Sequence, residues 1–161
     1  MTGARPAPIG VLAVGALTIG VLAGTLAGCS PGSGDPGLRA APGASVPACV
    51  TALVAVPATV LGHQRTPLQV GGAAAWGEPA ITLRCGLAEP APSTDRCLTV
   101  ADVDWVIDDA HDPIVFVSYG RSPAVEVRVP TSYGRDSAAA ALVDVAAVAK
   151  ALPHTSHRCI G

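Results

Sequence analysis

The spacing of apolar positions changes character along the chain. Residues 47–54 are apolar at helical spacing behind Ser45, a candidate N-cap, and Pro57 ends or kinks the helix they predict. From Ile81 the period becomes two: Ile81 and Leu83 alternate with Thr82 and Arg84, and Leu98-Thr99-Val100 resumes the pattern beyond a loop. Residues 102–107 continue that strand toward a polar turn, Asp108-Asp109-Ala110-His111-Asp112-Pro113. Residues 114–119 are apolar on both faces apart from Ser118, as suits a central strand, and Gly120-Arg121-Ser122-Pro123 turns the chain. In 124–129, Val125, Val127 and Val129 share one face and Glu126 and Arg128 the other, the pattern of a half-buried strand. Asp136 is expected to cap a helix over 137–152, with Leu142, Val145, Ala149 and Leu152 as its apolar stripe and Pro153 as its stop. The sum predicts an α+β domain: an antiparallel sheet of about four strands with helices at both chain ends packed on one face.

Upstream the pattern is different. Arg5 is the only charge before Asp35, and residues 9–27 form an uncharged apolar run suited to a secretory leader. It ends on Leu26-Ala27-Gly28-Cys29, which resembles a bacterial lipobox: an aliphatic residue, two small ones, then the thiol that accepts a diacylglyceryl group. The expectation is a leader over 1–28, lipidation at Cys29 and anchoring on the extracytoplasmic face of the cell membrane, two or more acyl chains being what holds a protein stably there. Residues 29–46, rich in Gly, Pro, Ser and Ala, are expected to be a flexible tether, and 47–161 a single domain. With Cys29 spent on lipid, Cys49, Cys85, Cys97 and Cys159 remain, an even count that predicts two disulfides in an oxidising compartment. The segment between Cys85 and Cys97 has the composition of a hairpin loop, so the expected pairs are Cys85–Cys97 and Cys49–Cys159.

Composition removes several functions. Ten Lys and Arg stand against twelve Asp and Glu, and aromatics make up 3% of residues. Neither a basic nucleic-acid footprint nor a base-stacking platform fits that composition, so no nucleic-acid partner is expected. No Cys-x-x-Cys occurs, and the His154/His157 pair has no partnered cysteine motif, so no metal or other cofactor is expected. The acidic run Asp102, Asp104, Asp108, Asp109, Asp112 lacks the spacing and the closing Glu of a calcium loop and reads as a solvated edge and turn.

Three segments, Trp76-Gly77-Glu78-Pro79-Ala80-Ile81-Thr82-Leu83-Arg84-Cys85-Gly86, Asp104-Trp105 and Tyr119-Gly120-Arg121-Ser122-Pro123-Ala124-Val125-Glu126, together resemble an actinobacterial family of secreted or lipid-anchored proteins, domain of unknown function 3515. The resemblance spans roughly residues 49–159. It implies an envelope location and the cysteine pattern, and it carries no activity and no catalytic residues.

Catalysis finds little support in the residues. No Gly-x-Ser-x-Gly occurs, and His63, His111, His154 and His157 fall in expected loops or termini. The candidate ligand-binding set is Trp76, Arg84, Tyr119, Arg121 and Glu126. Aromatics are scarce here, and Arg presents a planar fork suited to carboxylate or phosphate. The competing assignment puts Trp76 and Trp105 in the core and pairs Arg84 or Arg121 with Glu126 across the sheet. The expected function is a non-catalytic binding or interaction module at the envelope, its partner an envelope protein or an anionic ligand. The alternative is an envelope hydrolase or other enzyme using Asp, His and Arg side chains.

Overall fold

A computed structural model describes residues 1–3 and 37–160. The leader expected over 1–28, the lipidation site Cys29 and the first part of the expected tether therefore lie outside the described residues, apart from Met1, Thr2 and Gly3. The chain divides into two units, Met1–Ser30 and Pro31–Gly161, and the fold is that of the second. Among the described residues no helix is long and apolar enough to cross a membrane.

Helix α1 (Pro47–Ala52) continues into a 3-10 turn, Leu53–Ala55. Pro47 occupies the first helical turn, where its missing N–H costs nothing, and Val46 rather than Ser45 is the N-cap, with no side-chain hydrogen bond. Eight strands follow: β1 (Thr59–Val60), β2 (His63–Thr66), β3 (Ala73–Trp76), β4 (Ile81–Leu87), β5 (Cys97–Val100), β6 (Val103–Asp108), β7 (Ile114–Tyr119) and β8 (Ala124–Val129). Helix α2 (Arg135–Lys150) closes the order, with Asp136 in its first turn and Lys150 in its last, both favourable to the helix dipole. Gly134 is its N-cap, and Asp136 makes no cap hydrogen bond.

The sheet is a single antiparallel one of eight strands in the order β1-β2-β3-β4-β8-β7-β6-β5. Two meanders, β1 to β4 and β5 to β8, meet where β4 pairs β8. The expectation of about four strands is thus corrected to eight. Two causes are local. The Ala-rich 73–76 and the polar His63-Gln64-Arg65-Thr66 lack the β-branched alternation that marks a strand. Residues 98–107 also form two strands rather than one. The chain reverses at Ala101 and Asp102, both with positive φ (49° and 58°), a hairpin geometry whose usual Asn-Gly signal is absent.

Alternate residues divide the sheet into two faces. Against the helices lie Trp76, Ile81, Leu83, Cys85, Val103, Trp105, Ile114, Phe116, Val125, Val127 and Val129, all buried, together with Leu142, Val145 and Ala149 of α2. Opposed residues Arg84, Glu126, Val117, Val106 and Cys97 form one row across the other face.

The topology re-pairs the cysteines. The bonds are Cys49–Cys85 and Cys97–Cys159, not Cys85–Cys97 and Cys49–Cys159. Cys85 lies on β4 and faces the helices, where it meets Cys49 of α1. Cys97 opens β5, four strand positions away at the sheet edge. At about 4.8 Å per strand that is roughly 19 Å, far beyond disulfide reach. The segment between them is a crossing from mid-sheet to edge, not a hairpin loop.

The segments that flank the domain among the described residues both pack on it. Within the span expected as tether, Ala41 is buried and the Gly43 N–H donates to the Gly86 carbonyl at 2.8 Å. Gly86 has a φ of 110°, and a Cβ there would stand 2.3 Å from the Gly43 carbonyl carbon, so only glycine permits this approach. Beyond α2, Ser122 N–H donates to the Pro153 carbonyl and Thr155 N–H to the Gly120 carbonyl, laying the C-terminal tail across the ends of β7 and β8. The Cys97–Cys159 bond fixes its far end.

Candidate functional site

Alternation in β8 puts Glu126 and Arg128 on the face away from the helices, and β4 sets Arg84 directly opposite Glu126. The Glu126 carboxylate accepts from both arginines along matching edges. Arg84 donates from Nε at 2.7 Å and Nη2 at 3.0 Å, and Arg128 from Nε at 2.6 Å and Nη2 at 3.4 Å. Burial alone would push the Glu126 carboxyl up, but the hydrogen bonds and charges of Arg84 and Arg128 outweigh it and hold it below its ordinary value. Glu126 is 5% exposed, while the side chains of Arg84 and Arg128 are 21% and 39% exposed. Two guanidiniums around one carboxylate leave this cluster with one excess positive charge, on a face that also carries Asp104 and Asp108 of β6. Arg84 also reaches the Arg39 carbonyl through Nη1, at 3.5 Å, tying the cluster to the segment before α1.

A second cluster holds the tail. Glu89, in the β4–β5 crossing, accepts at Oε1 from the Gly120 N–H (2.9 Å) and the Thr155 hydroxyl (2.8 Å), and lies 2.9 Å from His157 Nδ1. Burial raises the Glu89 carboxyl, and the bonds from Thr155, His157 and Gly120 more than reverse it, so its pKa is lowered. The His157 ring stacks on Tyr119, with centroids 5.5 Å apart and planes 7° off parallel. A Cβ on Gly120 would come within 2.5 Å of the His157 carbonyl, so the tail lies directly on that glycine. The Thr155 proton is committed to the same carboxylate as His157, which leaves this Glu–His contact a clamp rather than a nucleophile with its base.

The five expected ligand residues do not converge. Arg84 and Glu126 pair with each other, and Tyr119 supports the tail. Trp76 sits wholly buried on the helix-facing side, its Nε1 donating to the Pro57 carbonyl at 3.1 Å. Arg121 is buried at the β7–β8 turn, where Nη1 donates to the Leu152 carbonyl at 3.5 Å. Burial and the nearby Arg158 charge lower its pKa, while Asp104 opposes them. Arg128 was missed, although its place two residues beyond Glu126 in the same alternation carries the signal. Glu89 lies more than sixty residues before Thr155 and His157, so no local signal links it to them, and only the tail's path joins them.

The acidic run is dispersed among partners. Asp102 pairs with Lys150, and Asp104 accepts from the Thr99 hydroxyl and the Cys159 N–H. Asp109 takes Arg96 and Arg135, and Asp112 accepts from the Thr131 N–H. Among the described residues no group of three or more His, Cys, Asp or Glu could hold a metal ion. A shallow depression of about 310 Å³, lined by Arg65, Thr66, Pro67, Leu68 and Ala73, includes none of the expected ligand residues.

In a comparison with protein families, the model for a protein of unknown function, DUF3515, matches residues 8–156. The chain belongs to the DUF3515 family. The match takes in every strand and helix of this DUF3515 domain, as well as Glu89 and Glu126. No curated protein and no solved structure matches the chain.

Proposed function

We propose that this DUF3515 protein is a lipid-anchored, extracytoplasmic, non-catalytic binding or interaction module of the cell envelope. The observation that carries the reading is the cysteine account. Four cysteines close two disulfides, as suits an oxidising compartment, and the fifth, Cys29, stands at the end of the apolar run in a lipobox-like sequence. The buried charges support the binding half of the reading. Glu126 is saturated by two arginines and Glu89 by the tail, so these groups rigidify a sheet face instead of offering a free acid or base. The partner is an envelope protein or an anionic ligand meeting the excess positive charge of Arg84 and Arg128.

Two experiments test this. Cys29→Ser in the producing cell should abolish palmitate incorporation and stop leader removal; equal labelling of variant and wild type would contradict the anchor. A photo-crosslinking residue at Val115 or Val117, beside Arg128 and Glu126 in register, should recover one reproducible partner on intact cells. Only random neighbours would contradict the binding role. Amine reagents are ill suited here because Lys150 is the sole lysine.

A further inference from the structure

The surface of α1 is unusual for the first element of a domain. Val46, Val50 and Val54, four residues apart, are 37%, 59% and 87% exposed, and they supply three of the large apolar side chains left open to solvent among the described residues. Ala48, Cys49, Ala52 and Leu53 face the core from the same stretch. Residues 40–64 contain no Asp, Glu, Lys or Arg of their own, although the exposed Asp144 of α2 accepts the Leu61 N–H at the end of this segment. The helix α1 touches, α2, has an uncharged outer row of its own in Ala140, Val143 and Ala147, all exposed.

We infer that the Val46-Val50-Val54 face of α1 lies against the lipid bilayer, an inference that rests on the anchor proposed at Cys29. Chain reach makes the argument. Seven residues lie between Cys29 and Gly37, where the described domain starts, and the eight Cα–Cα steps reach at most about 28 Å in any conformation. A lipid on Cys29 therefore holds Gly37, ten residues before α1, within that distance of the bilayer, and α1 is the first helix that follows. Tethering raises the effective concentration of the membrane surface, so a small apolar contact is occupied that would not bind alone. The face has no cation to seek anionic headgroups, so the anchor is what brings it to the membrane. Its composition also favours lipid over a protein partner, since protein hot spots are built on Trp, Tyr and Arg, and this face offers only valine.

The test uses the native lipidated full chain with valine-methyl labels, in phosphatidylcholine nanodiscs with and without lipid carrying a nitroxide at carbon 5 of the acyl chain. The Val50 and Val54 methyl signals should lose at least half their intensity relative to the core methyls of Val125 and Val127. The exposed-site variant Val54→Glu should restore Val50. Equal intensity across all four valines, in a sample whose mass shows an acylated Cys29, overturns the docking and leaves the anchor standing. An unmodified Cys29 overturns the anchor and the docking with it. Val50 and Val54 signals that shift with the ratio of protein to unlabelled disc would show a second copy on this face, and would also overturn it.

Discussion

Replacing Glu126 with Gln tests the sheet's charged centre most sharply. The substitution keeps the side chain's size and removes the charge that two guanidiniums share. In the native protein Glu126 accepts four N–H groups while 5% exposed. A glutamine turns an amide donor toward at least one of them and leaves Arg84 and Arg128 side by side without an anion. Removing one member of a fully buried pair costs about 3–5 kcal/mol. Arg84 and Arg128 retain 21% and 39% side-chain exposure, so solvent recovers part of that, and about 2–3 kcal/mol remains. With roughly 4 °C per kcal/mol for a domain of this size, the melting midpoint should fall by about 8–12 °C with both disulfides intact. The assay is thermal and urea unfolding of wild type and variant at pH 7, repeated at about 0.5 M salt, where a half-buried pair is screened far less than a surface one. Asp109→Asn, which unloads the exposed Arg96 and Arg135 pairs, is the control and should cost less than about 1 kcal/mol. An E126Q variant within about 0.5 kcal/mol of wild type would refute the clamp.

Further outcomes follow from the same geometry. Glu126 and Glu89 both have pKa values below the ordinary carboxylate value, so the stability they lend is fully present above that value. It is lost as pH falls through the folded-state pKa values. Stability should therefore fall on acidification below about pH 4.5, and the gap between wild type and E126Q should narrow progressively as pH falls; a gap that does not narrow below that pH would contradict the assignment. Replacing Cys97 and Cys159 by Ser opens a connection of 62 residues, and replacing Cys49 and Cys85 opens one of 36. Chain entropy assigns each bond about 4 kcal/mol, so each double variant should unfold at markedly lower denaturant, with loss of the first bond the costlier by about half a kcal/mol. Gly86→Ala forces a Cβ onto Gly43 and Ala44, and should expose residues 39–46 to hydrogen exchange while the amides of α2 stay protected; unchanged exchange in that segment would contradict the close approach.

The helices and the strongly alternating strands could be read from the chain because their own side chains specify them. The stripe Leu142, Val145, Ala149 and Leu152 is buried, and Val125, Val127 and Val129 lie on the helix side as their period requires. What escaped depends on partners distant in sequence. Ala73-Ala74-Ala75 becomes a strand because β4 and β2 flank it, not through any preference of alanine. Composition could count the disulfides but not pair them, since pairing follows from β5 standing at the edge and β4 near the centre. The Arg84–Glu126 contact is legible as a cross-strand pair, because alternation puts an acid on β8 and a base on β4. The clamp made by Glu89, Thr155 and His157 needs the tail's return path, and no local pattern encodes that.

The most direct test of the whole account is a mass measurement, under non-reducing conditions, on the protein taken from its native membrane. The account predicts a chain that begins at Cys29 with a diacylglyceryl adduct, together with peptides linked Cys49 to Cys85 and Cys97 to Cys159. A chain that still carries Met1 and four unlinked thiols, or a peptide joining Cys85 to Cys97, would contradict it.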